Sequence, residues 1–121
     1  VKPLVGPSSI LLGLISSGMN GQRFTFNGYL PINTKDRIKK LKYLEKKSLK
    51  NDETQIFIET PYRNNQLLAI IKKVLSLNTQ LSVASCLDSK EEKIISLSIR
   101  EWKKEKIDLN KKPTVFLIAT K

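Results

Sequence analysis

The sequence predicts an α/β protein: a mixed, mostly parallel sheet of about five strands flanked by helices. Three observations carry that expectation. Short apolar runs of period two alternate with longer runs of helical period. Strand–helix–strand order argues for parallel strands joined by right-handed crossovers. A direct strand-to-strand step near Asp88 argues for one antiparallel hairpin.

The elements follow in order. Pro7 to Ser17 reads as a short apolar helix, started by the preset φ of Pro7 and the hydroxyl of Ser8 and stopped at Gly18. Ile10, Leu11, Leu12, Leu14 and Ile15 leave it apolar on nearly all sides, so it calls for burial on more than one face. Arg23 to Tyr29 sets Phe24, Phe26 and Gly28 against Thr25 and Asn27, a strand pattern that Pro31 ends. Thr34 caps a long basic helix, Lys35 to Leu49, with Ile38, Leu41 and Leu44 on one face. Thr54 to Glu59 is a second strand, broken at Thr60-Pro61 because proline cannot donate to a ladder. Asn64 or Asn65 caps a helix over Gln66 to Leu77. Thr79 to Ser85 is a third strand, Leu87 to Glu91 a turn, and Lys93 to Ile99 a fourth strand. A short helix around Trp102, Arg100 to Lys106, precedes Lys111-Lys112-Pro113 and a last strand, Thr114 to Ala119.

The 121 residues fit one ordinary domain with a real core, and 40% are hydrophobic. Lys plus Arg is 22 against 11 for Asp plus Glu, a formal net charge of +11. Such a surface attracts polyanions, of which RNA is the commonest in a cell; a lysine-rich solubilising surface is the alternative. There is one cysteine, Cys86, and no histidine. A lone cysteine supports no disulfide framework, so a reducing, cytoplasmic compartment is expected. Without histidine, Ser-His-Asp triads and most zinc sites are excluded within this chain, and no metal is expected. No apolar run approaches the ~18 residues that a membrane span needs. The chain does not begin with Met, so residues are expected to precede it.

Three segments ask for more than packing. Val5-Gly6-Pro7-Ser8-Ser9 places backbone N–H groups and hydroxyls at a helix start, which suits an anionic or polar ligand or an ordinary cap. Glu59-Thr60-Pro61-Tyr62-Arg63 lies at the C-terminal end of an inner strand, where open α/β sheets bind ligands; a local Glu–Arg pair is the plainer explanation. Ser85-Cys86-Leu87-Asp88 lies at the next strand end. Cys86 has no histidine to activate it, so it reads as a packing residue, and Asp88 as a turn residue. The basic helix, with Lys35, Arg37, Lys39, Lys40, Lys42, Lys46, Lys47 and Lys50, is a solvated face or a phosphate-backbone contact. Little aromatic interleaving accompanies it.

Taken in order, PLVGPSSILLGLISSGMNGQRFTFNGYLP, then Arg37, then TQIFIETPYRN, SCLD and KKPTVFLIA resemble the tetrapyrrole (corrin/porphyrin) methylase superfamily. Within it, the chain is most similar to the branch of small-subunit ribosomal RNA cytidine-2′-O-methyltransferases. That branch has a similar Pro-Gly-Pro-Ser turn, an Arg-Phe-x-Phe-x-Gly-Phe/Tyr-Leu-Pro strand and a Glu-Ser/Thr-Pro-His/Tyr-Arg turn. The resemblance covers essentially the whole chain. It implies the C-terminal domain of a class III methyltransferase, whose members bind S-adenosylmethionine between two α/β domains and commonly dimerise. It also implies that residues 1–22 are the tail of an N-terminal cofactor-binding domain that this chain lacks, and that 23–121 are the C-terminal domain. Carried over by position, Ser8, Ser9, Glu59, Thr60, Leu87, Pro113 and Thr114 border the cofactor. Two departures stand out: Val5 where the family turn has Pro, and Cys86-Leu87-Asp88 where the ribosomal RNA enzymes show Glu-Leu-Thr, which leaves the substrate open.

The expected function is therefore part of an S-adenosylmethionine-dependent methyltransferase acting on ribosomal RNA in the small subunit, as a homodimer. Arg37, Lys39, Lys40 and Arg63 are the candidate RNA contacts, and Glu59 is the one carboxylate to nominate as a base. Two alternatives stand beside it: a C-methyltransferase of a small tetrapyrrole, and a basic RNA-binding module without catalysis. S-adenosylmethionine carries its methyl on a good leaving group, so catalysis can rest largely on holding the acceptor in line.

Overall fold

The computed structural model describes residues 24–85, 90, 93–109, 111–112 and 114–119. Its elements are β1 (Phe24–Tyr29), α1 (Thr34–Asn51), β2 (Thr54–Ile58), a 3-10 turn (Pro61–Arg63), α2 (Asn64–Val74), β3 (Gln80–Ser85), β4 (Lys93–Ser98), α3 (Ile99–Trp102) and β5 (Thr114–Ala119). The helix expected over 7–17 lies outside the described residues, as does most of the turn expected over 87–91.

The five strands form one sheet in the order β1-β2-β5-β3-β4. Among the described residues only β1 and β2 pair in parallel; β2–β5, β3–β5 and β3–β4 are antiparallel. The sheet is thus mixed and five-stranded as expected, but mostly antiparallel, where mostly parallel was predicted. The crossovers through α1 and α2 do leave β1, β2 and β3 running the same way. However, β5 runs against them and inserts between β2 and β3, replacing one expected parallel contact with two antiparallel ones. Its sequence fits a central place: Thr114 to Ile118 is buried residue by residue, as is Thr54 to Ile58 of β2. Strands buried on both faces read as continuous apolar runs, whereas the edge strands β1 and β4 are only partly buried.

Alternation along the strands sends their side chains to two faces. Phe57, Leu81, Val83, Phe116 and Ile118 pack with Leu41 and Leu44 of α1, Leu67, Leu68 and Ile71 of α2, and Trp102. Phe57 and Phe116 stand opposite each other in register and stack with centroids 5.8 Å apart. Ile56, Ile58, Ala84, Val115 and Leu117 form a second cluster on the other face. The side chain of Trp102 is fully buried, and its Nε1 donates to Leu81 O at 2.8 Å.

Local chemistry sets the element ends. The α1 helix starts one residue before the expected Lys35, because Asn33 rather than Thr34 caps it: Asn33 Oδ1 accepts from Asp36 N at 3.2 Å. It buries Arg37, Leu41, Leu44 and Ser48; of the expected face Leu41 and Leu44 are buried, whereas Ile38 is only half-buried and Arg37 turns inward beside it. Strand β4 ends at Ser98 rather than Ile99, since Ser98 turns to form a capping box with Glu101. The helix expected through Lys106 stops at Trp102, and i→i+3 bonds from Lys104 N and Glu105 N finish the turn. Gly28 has φ +68, and the β1–β2 register shifts there, between Phe26 and Tyr29. Glu45 of α1 accepts from Ser76 N at 2.8 Å and from Thr79 Oγ1 at 2.5 Å, tying the helix to the α2–β3 connection.

Candidate functional site

One end of the sheet gathers the C-terminal ends of β1, β2 and β3 and the N-terminal end of β5. The register states this: Tyr29 pairs with Ile58, Ile58 with Val115, and Ser85 with Thr114. Continuing β2 and β5 by one residue beyond Ile58 and Val115 brings Glu59 beside Thr114. Glu59, Thr114 and Ser85 then form a polar row across three strands, at 5%, 1% and 4% exposure. The row lies beyond the apolar residues Phe57, Phe116 and Val83 of the same face. Strand C-terminal ends are where open α/β sheets bind ligands.

Glu59 is held on both carboxylate oxygens. Oε2 pairs with the guanidinium of Arg37, and Oε1 accepts from Thr60 N at 2.8 Å with Arg63 Nη1 at 3.6 Å. Arg37 also donates from Nε to Pro31 O at 2.9 Å. One buried cation therefore joins the exit of β1, the first turns of α1 and the exit of β2. Arg37 was expected among the RNA-facing cations; the structure puts it inside, because its position on α1 faces the sheet and Glu59 supplies the counter-charge. Lys39 is exposed, Lys40 is half-buried with Nζ 5.3 Å from the Tyr43 ring, and Arg63 is partly exposed.

The Thr60 turn is tight. Thr60 N donates to Glu59 Oε1 and Thr60 O accepts from Arg63 N at 2.9 Å, while its hydroxyl makes no capping bond. Tyr62 projects from the same turn at 74% exposure. It was not among the predicted site residues; an aromatic in a polar break just after a buried strand was the signal available. Asn64 and Asn65 do not cap α2, as expected of one of them; Arg63 holds that position without a side-chain cap bond. Their amides instead grip the approach to β5. Asn64 Nδ2 donates to Lys112 O at 2.6 Å, and Asn65 Oδ1 accepts from Leu109 N at 2.7 Å. Thr114 Oγ1 donates to the same Lys112 carbonyl at 2.9 Å.

The structure thus brings together Glu59, Thr60, Arg63 and Thr114 from the predicted set, and leaves Lys39 and Lys40 along α1. Ser8, Ser9, Leu87 and Pro113 lie outside the described residues, as do Cys86 and Asp88. Leu87 follows Ser85, the last residue of β3, by two positions in sequence. Among the described residues no group of three or more His, Cys, Asp or Glu could hold a metal, and no helix is long and apolar enough to cross a membrane.

Known proteins share both the fold and the sequence. The chain superposes on the crystal structure of the methyltransferase CobJ with a TM-score of 0.60 at 14% identity, over 92% of this chain and 47% of that one. A protein described as a diphthine synthase from Entamoeba histolytica gives 0.57 at 16% identity, over 93% and 51%. Such identities speak for the fold alone. Sequence relatives go further. The ribosomal RNA small subunit methyltransferase I of Bacillus subtilis is 35% identical over 101 residues, 84% of this chain and 33% of its own length. The protein of the same name from Pasteurella multocida is 30% identical over 124 residues, covering all of this chain and 43% of the relative. No family model matches.

The chain is thus similar in fold to the methyltransferase CobJ and similar in sequence to methyltransferases named for ribosomal RNA. The sequence relatives from Bacillus, Pasteurella and Vibrio cholerae all carry the name ribosomal RNA small subunit methyltransferase I. The chain spans well under half the length of each.

Proposed function

We propose that the chain is the C-terminal part of an S-adenosylmethionine-dependent methyltransferase that 2′-O-methylates ribosomal RNA of the small subunit. The observation that carries this is sequence similarity along 84–100% of the chain to proteins of one name, joined to a polar strand-end row at the position expected for the cofactor wall. In this reading residues 1–22 belong to a preceding cofactor domain and 23–121 form the C-terminal domain of a cytoplasmic homodimer.

The residues at the strand ends suit such a ligand. Among the described residues the carboxylate of the row, Glu59, is answered by Arg37 and Arg63, so the wall offers mainly neutral polar groups, chiefly the Thr60 hydroxyl and the start of β5. Glu59, Thr60, Pro113 and Thr114 would line one side, with Leu87 from the neighbouring loop and Ser8 and Ser9 from the preceding segment. S-adenosylmethionine, when bound, supplies a methyl group on a sulfonium leaving group. This chain's share is to fix the strand ends, exclude water and steer the acceptor, through positioning rather than covalent chemistry. Lys39, Lys40 and Arg63 would hold phosphates, with Arg37 acting from inside.

The test is methyl transfer from labelled S-adenosylmethionine by the full-length protein to small ribosomal subunits lacking the modification. Incorporation at a ribose 2′-oxygen is the expected result. No incorporation into ribosomal RNA by a protein that binds S-adenosylmethionine would overturn the assignment of substrate.

A further inference from the structure

We infer that Arg37 and Glu59 act as one positioning pair that sets the Thr60 turn against the start of β5, and that Glu59 is not the base of the reaction. The inference rests on the proposed reading that this turn borders S-adenosylmethionine.

Three observations carry it. First, a general base must present a lone pair to the proton it removes, within hydrogen-bond reach. Glu59 presents none outward: Oε2 faces Arg37, Oε1 faces Thr60 N and Arg63, and the side chain is 2% exposed. Second, the pair spans elements far apart in sequence. Arg37 holds the Pro31 carbonyl with Nε and the Glu59 carboxylate with Nη2, so the exits of β1 and β2 are locked to α1 together. Glu59 then holds Thr60 N, and the turn closes through Arg63 N to Thr60 O. A shift of Arg37 is therefore a shift of Thr60 relative to Thr114 on the neighbouring strand. Third, a buried ion pair is a poor source of stability, since apolar residues of similar size often serve as well or better. Its presence at a strand end beside a hydroxyl-bearing turn is better explained by geometry than by stability.

The experiment uses the full-length protein. S-adenosylmethionine binding is measured by calorimetry, methyl transfer to unmodified small subunits gives KM and kcat, and urea unfolding reports folding. The double variant Arg37→Met/Glu59→Leu keeps the volume and removes both charges. It is expected to unfold cooperatively with near wild-type stability, while Kd and KM for S-adenosylmethionine rise about tenfold and kcat at saturation stays within about threefold. Arg37→Lys, whose ammonium lacks the two separate donor nitrogens that reach Pro31 O and Glu59 in fixed geometry, is expected to weaken binding in the same direction. Glu59→Gln retains an acceptor for Thr60 N and is expected to weaken binding less than the double variant, with the pH–rate profile unchanged in shape.

A folded double variant with wild-type Kd would overturn the inference. So would a Glu59→Gln protein that binds normally, loses about a hundredfold or more in kcat and loses the acidic limb of its pH–rate profile, because that is the behaviour of a base. If the double variant does not fold, the Lys and Gln variants decide by the same readings. Wild-type protein that binds no S-adenosylmethionine would instead refute the underlying assignment, a result separable from any variant effect.

Discussion

Asn64 offers a sharp test of how the strand-end region is held. It is completely buried at the first position of α2; Nδ2 donates to Lys112 O at 2.6 Å, with Leu109 O at 3.5 Å, and Oδ1 has no partner among the described residues. Asn64→Ala removes one good hydrogen bond and one at the distance limit. The Lys112 carbonyl keeps its bond from Thr114 Oγ1, and an unpartnered oxygen disappears with the side chain. The net cost should be about 1–2 kcal/mol. Asn64→Asp is closer in shape but at pH 7 should cost more, at least about 3 kcal/mol, because a buried carboxylate would face two carbonyl oxygens or have to take up a proton to bond them. Urea unfolding followed through the single, buried Trp102 measures both. An Asp variant more stable than the Ala variant would refute the assignment of Asn64 as an obligate donor to the Lys112 carbonyl.

Two further predictions concern the frame. Trp102→Phe removes the bond to Leu81 O and part of a fully buried ring, and should cost about 2–4 kcal/mol; a loss under 1 kcal/mol in calorimetric unfolding would show that the indole N–H contributes little. Gly28→Ala meets no atom within 4 Å, so its cost is conformational alone, about 1 kcal/mol, and Gly28→Asn should cost less. Equal stability of wild type and the Ala variant in urea would mean that the β1 bulge relaxes away from positive φ.

Much of the architecture was legible because it depends on neighbours in sequence. The alternation of Phe24 and Phe26, the continuous apolar runs of β2 and β5, and the stop at Thr60-Pro61 are local features, and the elements fall where those features put them. Glu59 could be singled out in the same way, as a charge directly after a buried strand. Capping was less legible: Asn33 took the role expected of Thr34, because the first helical turn offered its N–H to whichever oxygen stood three residues back. Asn64 and Asn65 looked like caps in sequence, and only the folded chain shows them spent on residues 109 and 112.

Strand directions in β1, β2 and β3 followed from the two crossovers, but the neighbours of β5 did not. Nothing local in Thr114 to Ala119 says that it will part β2 from β3; that place is chosen by burial of both its faces against strands whose register partners lie 29 to 63 positions away. Arg37 illustrates the same limit. In a run of lysines it reads as one more solvated cation, and its guanidinium is internal only because Glu59, 22 residues on, arrives opposite it at the end of β2. Local pattern could assign the helices and the strands and single out Glu59 at the end of β2. Which strand lies beside which, and which charge is answered inside, came from contacts that form only when distant segments close on one core.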